Sequence, residues 1–74
     1  MVILKNIKKT ASDISADYYP EGKEPKGFMR MRLADEKVVE HDNTSMFAAP
    51  HVRYELIRLG KMDNPPMEKT VLWY

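Results

Sequence analysis

Four residues of this chain carry the atoms that metal binding or acid–base catalysis needs: His41, Asp42, His51 and Glu55. His51 and Glu55 are spaced i, i+4, which on a helix puts an imidazole and a carboxylate on one side, as two ligands require. The same spacing describes an ordinary surface pair, and nothing in the sequence places His41 beside it. Two imidazoles, with carboxylates that no spacing fixes around them, fall short of the closed ligand sets that hold zinc or nickel. A small-molecule or metal site at His41, His51 and Glu55 is therefore an alternative reading, and the leading expectation is no metal and no cofactor.

Nucleophilic chemistry is less well served. Ser12 falls in a turn, Ser15 on a charged sheet face and Ser45 at a helix entry. None has the flanking glycines and the strand–turn–helix setting that expose a catalytic serine. Three glycines in the whole chain cannot build a phosphate-cradling loop. With no cysteine, thiol catalysis, disulfides, iron–sulfur clusters and thiolate zinc sites are excluded, and the composition suits a reducing compartment. The expectation is a protein that is not an enzyme.

Twelve Lys and Arg against eleven Asp and Glu leave a formal charge of +1, with the signs interspersed. A nucleic-acid binder gathers a basic surplus on one face. The nearest approach to a basic run is Lys5, Lys8 and Lys9, while Tyr19 and Phe28 beside Lys26 and Arg30 could form a stacking platform for single strands. Asp17, Glu40 and Asp42 neutralise the neighbouring arginines, so an aromatic clamp on the loop is favoured over the platform. Weak single-stranded nucleic-acid binding through Lys5, Lys8, Lys9, Tyr19, Lys26, Phe28 and Arg30 is kept as an alternative function.

The elements that must position these residues fit one domain of 74 residues, near the lower size for a core without staples. Met1 to Lys5 turns basic too early for a signal peptide, and no apolar run approaches the ~20 residues of a membrane helix. A cytoplasmic location without membrane contact is expected.

Ile3 to Lys8 reads as a first strand with an ambiguous inward face, since Val2 and Leu4 alternate with Ile3 and Ile7. A strand covered on both sides or a bulge would show this pattern. ISADYY, FMRMRL and VVEHD follow as a meander. Pairing Tyr18 with Met29, Ala16 with Met31 and Ile14 with Leu33 stacks apolar side chains on one face. On the other face that register sets Asp17 against Arg30 and Tyr19 against Phe28. Leu33 meeting Val39 then brings Arg32 to Glu40 and Arg30 to Asp42.

A helix through Ala48 to Leu59 carries Ala48, Val52, Leu56 and Leu59 on one arc, with Pro50 in its first turn and Gly60 placed as a left-handed cap. Lys69 to Tyr74 closes the chain as a strand beside the first. The expected architecture is α+β: an antiparallel sheet in order 4-3-2-1-5 with one helix on one face.

Pro50, Tyr54 and Ile57 lie on the helix away from its core arc, and Val71, Trp73 and Tyr74 occupy an edge strand guarded only by Lys69. These six residues are the candidate partner-binding set. The leading expectation is a non-enzymatic interaction module whose partner is another protein or a second copy of itself.

Overall fold

The computed structural model of the chain describes residues 1–42 and 48–72. Strand β1 (Val2–Lys9) buries Val2 and Leu4 and then Ile7, a change of phase that resolves its two-sided sequence pattern. Its register against β2 (Asp13–Pro20) passes from Lys5 opposite Asp17 to Lys8 opposite Ser15, so Asn6 and Ile7 together face Ala16. This is a β-bulge. Asn6 takes a left-handed φ of 54°, a conformation asparagine tolerates better than most residues, and its amide donates to Asp17 Oδ2 at 2.9 Å. The Ile7 amide is released from the ladder and donates to the Met67 carbonyl at 3.0 Å.

The remaining elements are β3 (Gly27–Arg32), β4 (Val38–Asp42), α1 (Ala49–Gly60) and β5 (Lys69–Val71). They form a five-stranded antiparallel sheet in order β4-β3-β2-β1-β5 with the helix packed on one face, the α+β arrangement expected. Val2, Leu4, Ile7, Ile14, Ala16, Tyr18, Met29 and Met31 from the sheet meet Ala48, Val52, Leu56 and Leu59. The helix arc read from periodicity is the buried one. Among the described residues no helix is long and apolar enough to cross a membrane.

Two registers differ from expectation. Ala16 lies opposite Met29 and Ile14 opposite Met31, a slip of two residues that keeps every side chain on its face and changes every neighbour. Tyr18 is set against Gly27 rather than Met29, because its ring lies over bare backbone there. A Cβ on Gly27 would fall 2.3 Å from Tyr18 Cζ. On the outer face Asp17 therefore faces Phe28, not Arg30, and Tyr19 faces Ile3 of β1, not Phe28. Against β4, Arg30 meets Glu40 and Phe28 meets Asp42, in place of the expected pairs of Arg32 with Glu40 and Arg30 with Asp42. Arg32 turns to Asp35 at 3.6 Å instead, and Leu33 lies beyond the end of β3, packed against the core.

Pro50 sits in the first turn of α1, where its missing N–H is not needed. Gly60 ends the helix without the left-handed cap expected of it, since Lys61 follows with φ −87° and its amide bonds back to Arg58 O. What the position needs is space: a Cβ there would come 2.7 Å from Leu33 Cδ2.

Candidate functional site between β4 and the helix

α1 makes its main contacts with β1, β2, β3 and β5, so it stops short of the sheet edge formed by β4. The uncovered helix-side face of β4 and the flank of α1 bound a cleft of about 570 Å³. Met29 comes from β3, Val38 and His41 from β4, and Ala49, Pro50, Arg53 and Tyr54 from the first two turns of the helix. The volume lies within the range of small-ligand and side-chain pockets.

A second irregularity in the ladder shapes this floor. Val38 opposes Met31, and the register shifts before Glu40 opposes Arg30 and His41 opposes Met29. Val39 is the extra residue. Strict alternation would send Val38 and His41 to opposite faces, whereas the bulge puts both on the helix side with Met31 and Met29.

His41 is held from below. Its Nε2 lies 2.7 Å from the hydroxyl of Tyr18, and the same hydroxyl donates to the Asp42 carbonyl at 3.2 Å. The rings stand 5.9 Å apart, tilted by 36°. Tyr18 has no solvent exposure, so a core residue fixes the orientation of a cleft residue.

The wall supplies charge and apolar area. Arg53 Nη2 donates to the Glu36 carbonyl at 3.2 Å, and no carboxylate pairs with it among the described residues. Tyr54 is 74 % exposed and Val38 37 %, two apolar groups in the cleft lining, and Val39, the bulge residue next along β4, is 48 % exposed. Among the described residues the lining holds no serine, threonine, cysteine or lysine, and Arg53 is its one fixed cation. Such a surface is suited to holding an apolar group and an anion.

The residues of the alternative metal or small-molecule site, His41, His51 and Glu55, are not brought together. Glu55 is buried and accepts two bonds from Arg58, at 2.9 and 2.8 Å, so its partner is Arg58 rather than His51. Those bonds hold its carboxyl below the usual glutamate range against the opposing effect of burial, with Lys69 adding a smaller pull in the same direction. His51 is half-buried on α1, and His41 belongs to the cleft. No three described His, Asp or Glu side chains gather as a metal site.

The outer sheet face does assemble most of the residues of the nucleic-acid alternative, with their charges largely engaged. Lys5 lies over the Tyr19 ring at 5.2 Å and Arg30 over Phe28 at 5.6 Å. Lys26 pairs with Asp17 at 3.2 Å, which raises its pKa through the hydrogen bond, and Arg30 pairs with Glu40 at 2.9 Å. Lys9 donates to the Met62 carbonyl, and Lys8 is exposed.

Of the partner-binding set, Pro50 and Tyr54 line the cleft, while Ile57 and Val71 pack against the core. Ser45, Trp73 and Tyr74 lie outside the described residues. Met29, Val38 and Arg53 are cleft residues that sequence reasoning did not single out. The one local signal was the three-residue spacing of Val38 and His41, which only a bulge turns to one side. Comparison with protein-family models, curated proteins and solved structures finds no match to this chain.

Proposed function

We propose that the protein is a non-enzymatic interaction module whose contact surface is the β4 edge with the cleft beside α1. The observation that carries this reading is the exposure of Val38 and Tyr54 in an apolar cleft beside β4, a strand outside the helix's main contacts among the described residues, with Val39 exposed on the same strand. Exposed aromatic and branched side chains around a pocket are what interfaces use as anchors. The opposite sheet edge is a weaker candidate. Its described strand is three residues long, and Val71 is drawn onto the core.

The reading is tested by placing a photo-crosslinking residue, p-benzoylphenylalanine, at Tyr54, at Val39 and at Lys23 in the distant β2–β3 loop, in cells that carry the gene. Adducts at positions 54 and 39 but not at 23 are expected. Equal labelling at all three, or none at 54 and 39, overturns the proposal.

A further inference from the structure

The geometry points to the chemistry of the partner: an extended segment of another protein added to β4 as a sixth strand, with apolar and acidic side chains turned toward α1 and basic side chains on the opposite face. This inference rests on the interaction reading above and goes further in stating how the partner is built.

The backbone argument comes first. β4 ends the sheet order, so the side of its backbone away from β3 has no neighbouring strand among the described residues. All five of its residues are exposed, and VVEHD contains neither proline nor lysine; its Val39 bulge and its acidic Glu40 and Asp42 discourage indiscriminate pairing and restrict the edge to a strand of complementary charge. A strand added there would continue the antiparallel ladder, with main-chain bonds supplying affinity and alternate side chains supplying selectivity.

The cleft then decides what those alternate side chains are. A residue of the added strand on the helix side stands beside Val38 or His41 and enters the space under Tyr54 and Arg53. Apolar groups fit the Met29, Val38 and Pro50 surface, and a carboxylate fits Arg53, the cleft cation that no described carboxylate neutralises. On the opposite face the added strand runs beside Glu40 and Asp42. Glu40 shares Arg30, and no described cation pairs with Asp42, so that side of the partner is basic.

The same charges argue against a second copy of this chain as occupant. In a two-fold β4–β4 pairing, Glu40 and Asp42 would lie near their own equivalents on one face, and like charges placed opposite one another across strands destabilise the pair.

The test selects a random nine-residue peptide display library on the intact chain, in parallel with Arg53→Glu and Tyr54→Ala. Both positions are exposed, and unchanged melting curves confirm the fold. Enriched peptides are expected to alternate, with apolar and acidic residues on one parity and Lys or Arg on the other. Arg53→Glu should replace the acidic preference by a basic one. Tyr54→Ala should weaken the consensus peptide about tenfold or more, the effect expected when an aromatic anchor is lost. Bound peptide should slow amide exchange in Val38–Asp42.

No enrichment, a helical instead of an alternating pattern, protection of β5 in place of β4, or indifference to Arg53→Glu overturns the inference. So does a dimer by sedimentation that Val39→Lys dissolves. Crosslinks at Tyr54 alongside any of these failures would leave the interaction reading standing, whereas their absence removes both.

Discussion

The hydroxyl of Tyr18, a fully buried β2 residue, stands 2.7 Å from Nε2 of His41 on β4, two strands away. The ring crosses β3 over Gly27, the only residue type that leaves room for it. The pairing register, the orientation of the cleft imidazole and the satisfaction of a buried phenol are thus one arrangement.

Tyr18→Phe removes the bond to His41 and to the Asp42 carbonyl while keeping the ring. A net loss of about 0.5–1.5 kcal/mol is expected from urea unfolding, the usual worth of such a bond. His41 should lose its fixed orientation, seen as a shift of its ring resonances. A variant with unchanged stability and unchanged ring resonances would show that the contact does no positioning.

The two tightly packed glycines should respond differently to alanine. At Gly27 the new methyl meets a buried ring locked between strands, and roughly 1–3 kcal/mol of overpacking is expected. At Gly60 the one tight contact is the end of the half-buried Leu33 side chain, which can turn away, with Ile14 Cγ2 at an ordinary 3.7 Å, and alanine is the better helix former by up to ~1 kcal/mol. Gly60→Ala should therefore be near neutral. Comparable losses at the two sites would contradict this account.

Glu55 makes a directional prediction in acid. Its carboxyl titrates lower in the folded chain than the ordinary value of about 4.3, chiefly because Arg58 bonds the charged form. The unfolded chain thus binds the proton first as pH falls. The contribution is fully present above the unfolded value and is lost between it and the lower folded one. Glu55→Gln should flatten that part of a stability profile measured from pH 6 to pH 2. A parallel profile would show that the Arg58 pair leaves no trace in stability.

Leu56 and Arg30 set the scale of core against surface. Leu56 is fully buried between helix and sheet, and Leu56→Ala should cost about 2–5 kcal/mol, a large part of the stability of a domain this small. Arg30 and Glu40 are both substantially exposed, so Arg30→Ala should cost no more than about 1 kcal/mol despite the 2.9 Å contact. Chemical denaturation of both variants gives the comparison, and a reversed order would place the stabilising centre on the outer face.

The sequence by itself determined the sheet order, the single helix with its Ala48, Val52, Leu56 and Leu59 arc, and the face on which Ala16, Tyr18, Met29 and Met31 lie. These follow from periods of 2 and 3.6, which any local stretch displays. Period-two alternation is blind to a slip of two residues, so it could not choose between Met29 and Gly27 as the neighbour of Tyr18. Side-chain volume across two strands made that choice. The bulges at Asn6 and Val39 were likewise tertiary decisions. The first is tied to the Met67 carbonyl, far along the chain, and the second to pairing with β3. The cleft depends on both kinds of information, because alternation already sets His41 on the helix side, whereas Val38 joins it only through the bulge, and Met29 and Arg53 meet them only once the helix has settled short of β4.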